Sequence, residues 1–349
     1  MYSGTLLGHP LMQQCERFVT RHKPLTHRQW LQRIEQVPEI DLAVDCYGNG
    51  PAVQALEQKM AALLGKEQAL FVHKGSVGQY AALLEYAQRA GKRYIAIHPQ
   101  CHLAVDESDS YQELLRLQQI WFGKENQAID PDDVDQLAAH AEQLSCICVE
   151  LPVRRAGFKL PQWQTLLALR AFADQSRLPV HIDGARLLES AHYWHQSYPQ
   201  VASLGDTVYV SLYKMLGAAA GGVIAGDAKF IDSLRVWRSR LAGDLYTAFP
   251  YVLTALWGLQ HYLPRVPEFH QRALRLAECL RQRFGDDAIA SPMQCSGFQL
   301  VLPIGSGRLH ERVLQVARQQ SVWLFDRIYP MGERSMVEIQ VGDALDDWR

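Results

Sequence analysis

Two apolar runs in this chain each end in one charged residue, and that pattern constrains the fold more than any other feature. Val180-His181-Ile182-Asp183-Gly184-Ala185-Arg186 closes on a carboxylate, a glycine and an arginine. Val208-Tyr209-Val210-Ser211-Leu212-Tyr213-Lys214-Met215-Leu216-Gly217 closes on a lysine and a loop of small residues. Each run reads as a buried strand that delivers one charge to its C-terminal end, where ligands sit in open α/β sheets.

The flanking sequence supplies the rest of such a sheet. Residues 68–72, 93–97, 117–122, 145–151, 180–182, 207–212 and 222–225 read as strands. Between them, 77–89, 161–176, 184–195 and 227–241 carry helical spacing, and Asp130-Pro131-Asp132-Asp133 marks a further helix start. Strands alternating with helices predict an α/β fold with a mostly parallel, seven-stranded-type sheet flanked by helices on both faces. Ahead of the alternation, Tyr47-Gly48-Asn49-Gly50-Pro51 is a turn running into a helix that Gly65 closes. After it, 250–284 is helical with a break at Pro264 and Pro267. Strands at 297–303, 322–325 and 336–341 and a helix at 308–319 then form a small α+β tail. The expected organisation is a polar leader or arm over 1–44, a large α/β domain over 45–255 and a small C-terminal domain over 256–349.

Composition removes several function classes. A net charge of −2 and a pI near 6.7 leave no basic field for nucleic acid or an anionic membrane. Met1-Tyr2-Ser3-Gly4 runs into mixed polar sequence rather than a secretory signal, and the apolar Gly217–Gly226 run is too short to span a bilayer. Seven dispersed cysteines with no Cys-x-x-Cys pair indicate free thiols in a reducing, cytoplasmic setting. Cys146 and Cys148, two apart in a strand, read as small buried residues rather than metal ligands. No metal site is expected.

The chemistry-bearing residues fall at strand ends. Lys74-Gly75-Ser76 joins a strand to a helix: glycine lets the backbone approach an anion, the helix start offers free N–H groups, and Ser76 adds a hydroxyl. The same residues also make a plain helix cap, and they are neither a GxGxxG fingerprint nor a P-loop. Asp183 is either the N-cap of a following helix or the partner of a protonated pyridine nitrogen. Lys214 is either a strand-end surface lysine or a partly desolvated amine of the kind that holds pyridoxal 5′-phosphate (PLP) covalently. Asp183 one βα unit upstream and Gly217, Gly221 and Gly222 downstream favour the cofactor reading. His102 can stack on a ring or take a proton. Glu150 ends a strand on the same side as Asp183, and Arg186 lies one helical turn beyond Asp183, so that both can face one pocket.

Tyr47-Gly48 with Pro51, Gly65-Lys66-Glu67, Gly75-Ser76, His102, Glu150, His181-Ile182-Asp183-Gly184-Ala185-Arg186 and Lys214-x-Leu216-Gly217 come in an order that resembles the threonine aldolases. These belong to the β-eliminating lyases among fold-type I PLP enzymes. The likeness runs from about residue 45 to about 240. It implies a PLP-dependent transferase-like fold, with Gly75 and Ser76 on the cofactor phosphate, His102 on its ring and Asp183 at its nitrogen. It further implies Arg186 at the ring oxygen or the substrate carboxylate, Lys214 as the covalent attachment, and a homodimer or homotetramer. The implied reaction is retro-aldol cleavage of a β-hydroxy amino acid to glycine and an aldehyde, with His102 or Glu150 taking the hydroxyl proton. The alternatives are another PLP reaction (β-elimination, transamination or racemisation) and a PLP-fold binding or regulatory protein.

Several positions depart from that family's pattern. Its Ser-Asp-Thr carboxylate motif has no match. Leu151-Pro152-Val153-Arg154-Arg155 replaces the Asn-Thr-His that follows the strand glutamate. The Gly-rich Met-Arg loop becomes Ala242-Gly243-Asp244-Leu245-Tyr246. For the arginine that grips the substrate carboxylate, Arg334 or Arg327 is the nearest candidate. Cofactor-facing positions are kept and substrate-facing ones differ.

Overall fold

The structure is a computed structural model and describes residues 5–289 and 293–348. Residues 1–4 of the expected leader, and the last residue, lie outside the described ones. The chain divides into two units, one of residues 28–264 and one joining the residues up to His27 with those from Arg265 onward. The leader is therefore shared between units. Arg17–Phe18 pairs in parallel with Val322–Trp323, while the helix His27–Glu35 runs into the larger unit.

Seven strands form the sheet of the larger unit: β1 (Gln68–Val72), β2 (Tyr94–Ile97), β3 (Gln118–Trp121), β4 (Leu144–Glu150), β5 (Val180–Asp183), β6 (Thr207–Ser211) and β7 (Gly222–Gly226). Their spatial order is β1-β7-β6-β5-β4-β2-β3. All neighbours run parallel except at β7, which is antiparallel to β1 and β6. The central strands β4, β5 and β6 are buried along their whole length, as an apolar run in a two-sided parallel sheet must be. Leu70, Leu83, Ile95, Ile97 and Ile224 pack the core around Cys101, Cys146 and Cys148, so the two strand cysteines are core residues. The helix start at Asp130 forms as expected, with a reciprocal capping box to Asp133.

Two local expectations change. The stretch 184–195 is not one helix but a short turn, Leu187–Ser190, followed by a 3-10 turn, Ala191–Trp194. Gly184 lies against the Tyr209 backbone, where a Cβ would come within 2.8 Å of its carbonyl oxygen, and the Trp194 indole N–H donates to Pro161 O at 2.9 Å. Tertiary contacts therefore override helical spacing in this segment. The glycine-serine cradle, expected on a strand neighbouring those that carry Asp183 and Lys214, does not follow a strand beside β5 or β6. Its strand, β1, is the sheet edge, one strand beyond β7. The helix Gly75–Ala90 carries its own first turn back over the sheet instead, packing Gly78 on Val72 and Gly75 on Tyr209 of β6.

In the smaller unit, β8 (Gly297–Leu302), β9 (Ile328–Met331) and β10 (Arg334–Gln340) make an antiparallel sheet in the order β9-β10-β8. The hairpin partner β9 went unforeseen because Pro330 interrupts its pattern. Two helices, Val266–Phe284 and Ser306–Gln320, belong to the same unit. No helix among the described residues is long and apolar enough to cross a membrane.

Candidate active site

The C-terminal ends of β4, β5 and β6 meet the first turn of the helix Gly75–Ala90, and a pocket lies there, built from the larger unit. Register explains the meeting. Glu150 pairs with Asp183 and Asp183 with Tyr209, so the last residues of β4 and β5 lie level with Tyr209, and β6 runs two residues further toward Lys214. The pocket gathers Gly75, Ser76, His102, Glu150, Asp183, Arg186 and Lys214, the residues singled out above, together with Lys74, Gln79, Glu107, Ala185, Tyr209 and Tyr213. Arg334 belongs to the other unit, at the exposed start of β10, and Arg327 precedes β9 there.

At one end is the helix start. Its N-cap, Lys74, makes no side-chain cap, so the first-turn N–H groups gain nothing from that side chain. Ser76 Oγ is fully buried and has no hydrogen-bond partner. A Cβ on Gly75 would come within 2.2 Å of Tyr209 Oη, so only glycine fits against that ring. A buried, unpaired hydroxyl costs about 1–3 kcal/mol, and an anion at the helix N-terminus would satisfy it.

At the other end are the charges. Asp183 is buried; it accepts from Gln79 Nε2 at 3.0 Å and from the Ala185 backbone N–H at 3.2 Å. Glu150 is buried too, and accepts the His102 N–H at 2.6 Å and the Arg154 N–H at 3.2 Å. Burial, then the nearby Asp183 carboxylate, pushes Glu150 up to about 7. Lys214 is half-buried in a turn after β6. Burial, then the Arg186 guanidinium, brings its ammonium down to about 7, against the pull of Asp183 and Glu150. Near neutral pH the pocket therefore holds an amine able to lose its proton beside a carboxyl able to keep one.

The lysine turn is braced from outside. Leu212 N–H donates to Gly221 O at 3.0 Å and Ala218 N–H to Leu212 O at 3.0 Å. The helix Phe249–His261 packs against it, with Thr254 Oγ1 accepting the Ala219 N–H at 3.1 Å. Gly258 of that helix approaches so closely that a Cβ would lie 1.9 Å from Leu216 O.

His102 opens a short helical turn after β2. Its Nδ1 lies 3.3 Å from Glu107 Oε1. Glu107 also accepts from Tyr80 Oη at 3.1 Å and lies 3.7 Å from Lys74 Nζ. Burial lowers the His102 pKa, partly opposed by Asp183. The residues that follow Glu150 are not idle replacements. The Arg154 guanidinium bonds Asp106 at 2.7 Å, and Arg155 pairs with the same carboxylate. Sequence reading missed Gln79, Tyr209 and Glu107. Gln79 carried one usable signal, since it stands one helical turn after Ser76. Tyr209 and Glu107 acquire their positions through strand register and a loop, which spacing does not encode.

The family model described as beta-eliminating lyase matches residues 35–286. The chain is 29% identical over 241 residues to an uncharacterized Caenorhabditis elegans protein, covering 68% of this chain and 58% of that one. It thus spans less than two thirds of that relative. It is 27% identical over 248 residues to low-specificity L-threonine aldolase 1 of Arabidopsis thaliana, 69% of each chain. Among solved structures, a putative L-allo-threonine aldolase from Listeria monocytogenes superposes with a TM-score of 0.88 at 27% identity, over 97% of this chain and 94% of that one.

Proposed function

The chain belongs to the beta-eliminating lyase family, and from that premise we propose that it is a PLP-dependent carbon–carbon lyase. Its substrate would be a β-hydroxy amino acid, cleaved between Cα and Cβ to glycine and an aldehyde, as a threonine aldolase would do. The observation that carries the reading is the convergence of Lys214, Asp183 and the unsatisfied Ser76 hydroxyl on one pocket.

The donor set fits the cofactor part by part. The uncapped helix start, Gly75 and Ser76 suit its phosphate, and the buried Asp183 suits a protonated ring nitrogen. His102 would flank the ring. Lys214, a neutral amine above about pH 7, suits covalent attachment. When bound, PLP supplies an aldehyde for linkage to amines and a ring that takes up the electrons of the broken Cα–Cβ bond. Asp183 is itself fixed by Gln79 and Ala185, so its carboxylate stays aimed into the pocket. His102 or Glu150 would take the proton from the substrate β-hydroxyl oxygen, and Lys214 would move protons at Cα. Arg186 is our choice for the substrate carboxylate or the ring oxygen, with Arg334 the second candidate for the carboxylate. The same reading takes the protein as a cytoplasmic homodimer or homotetramer.

The test is direct. Purified protein should show the yellow absorbance of lysine-bound PLP, and borohydride reduction should fix the cofactor on the Lys214 peptide. A panel of amino acids scored for aldehyde, keto acid and ammonia should give aldehyde from β-hydroxy substrates. Failure to take up PLP would sink the whole reading. Keto acid or ammonia in place of aldehyde would move it to another PLP reaction.

A further inference from the structure

We propose that Glu107 is a positioning residue, holding the proton of His102 on Nδ1 so that Nε2 is the bare nitrogen that takes the proton from the substrate hydroxyl. This rests on the reading above in giving His102 a substrate to act on. Three observations support it. Glu107 Oε1 lies 3.3 Å from His102 Nδ1, within reach of an ion pair. Glu107 is itself fixed, since its other oxygen accepts from Tyr80 Oη at 3.1 Å and Lys74 Nζ lies 3.7 Å away. The His102 backbone is fixed separately, with its N–H donating to Glu150 at 2.6 Å. The His102 ring thus lies at ion-pair distance from one carboxylate while its main chain is held by another.

A carboxylate only accepts, so it selects the tautomer with hydrogen on the nitrogen facing it and leaves the other nitrogen as acceptor. The surrounding charges are mixed. Asp183 and Asp106 add to Glu107 in favouring the imidazolium, while Lys214 and burial oppose it. Glu150 approaches from β4 and Lys74 from the helix start. Among the described residues, it is Glu107 whose side chain reaches the His102 ring. The inference also answers a gap in the sequence: Leu151-Pro152-Val153-Arg154-Arg155, directly after Glu150, contains no histidine, so on the proposed reaction a proton acceptor for the hydroxyl comes from another segment.

The experiment begins on cofactor-free full-length protein with ¹⁵N-labelled histidine, the His102 signals being assigned with His102→Gln. Wild-type His102 should be Nδ1–H when neutral. Glu107→Leu should lose that preference. Glu107→Gln, which keeps an acceptor but no charge, should lower the proton affinity of His102 about tenfold, and Glu107→Asp should restore part of it. A neutral wild-type ring protonated on Nε2, or an unchanged titration in Glu107→Gln, overturns the proposal. The cofactor-loaded enzyme supplies the second arm. Because the acceptor must be deprotonated, Glu107→Gln should move the acid limb of kcat/KM to lower pH and lower the plateau at least about tenfold. A limb that stays in place with only the plateau reduced means a structural role and refutes the positioning one. If the loaded enzyme cleaves no β-hydroxy amino acid, the functional reading fails, and the tautomer measurement still decides whether Glu107 holds His102.

Discussion

Replacing Lys214 by Met should make the cofactor-free protein more stable at pH 6, although it destroys the proposed attachment point. The lysine titrates at 10.5 in an unstructured chain and at about 7 in the fold, chiefly through burial and then Arg186. A base whose folded pKa is lowered carries its full penalty where both states are protonated, below about pH 7. The penalty fades as pH rises and is gone above 10.5. At about 1.4 kcal/mol per tenfold in proton affinity, the penalty at pH 6 is about 5 kcal/mol. Part of it is not recovered, because Met leaves Asp183 and Glu150 without their neighbouring cation and Lys214 keeps some contact with water. A net gain of about 2 kcal/mol is expected, or roughly 3 °C in Tm for a chain of this size. Thermal unfolding of cofactor-free wild type and Lys214→Met between pH 6 and 10 measures it. The two curves should converge as pH rises. A variant no more stable than wild type at pH 6, or a gap that does not narrow toward pH 10, would refute the claim that a desolvated ammonium is stored in this pocket.

Three further outcomes follow from the same geometry. Ser76→Ala removes a buried hydroxyl with no partner, so the cofactor-free Tm should hold or rise while titration shows PLP affinity falling about tenfold, the worth of one charge-assisted hydrogen bond. Gly258→Ala would press a methyl 1.9 Å from Leu216 O, so the lysine turn must shift; borohydride-fixed PLP should drop severalfold with the far-ultraviolet dichroism unchanged. Of the seven cysteines, Cys46 and Cys279 are exposed and Cys15 is half-buried, whereas Cys101, Cys146, Cys148 and Cys295 are buried. A thiol reagent should therefore modify two sites quickly and reach the last four only after denaturant is added.

What the sequence disclosed and what it concealed divide along a physical line. Asp183 and Lys214 were legible because a charge ending a long apolar run contradicts its surroundings, and strand period fixes where it emerges. Gly75 and Ser76 were legible as a possible anion site, but the reason for glycine was not. It is the Tyr209 ring, 134 positions along the chain and brought there by a helix crossing back over β7 and β6. The Gly184–His195 stretch misled because its spacing is helical while Gly184 and Trp194 are tied down elsewhere.

The segment after Glu150 shows the same division at the level of function. Leu151-Pro152-Val153-Arg154-Arg155 reads in sequence as a loss, since the residues expected there are missing. In the structure it connects two strand ends. The Arg154 N–H holds Glu150, and both guanidinium groups hold Asp106, which sits four residues after His102. Those two arginines keep the Asp106 carboxyl well below the usual carboxylate range, so it stays charged and paired under all ordinary conditions. The loop after β4 thus clamps the loop after β2, and through Glu150 it also fixes the His102 main chain. On the proposed function, a segment that has arginines fixing the loop of His102 where the family pattern has a histidine would leave proton transfer to His102. That is why the Glu107 contact to His102, rather than the segment 151–155, is where control of the proposed proton transfer should first be sought.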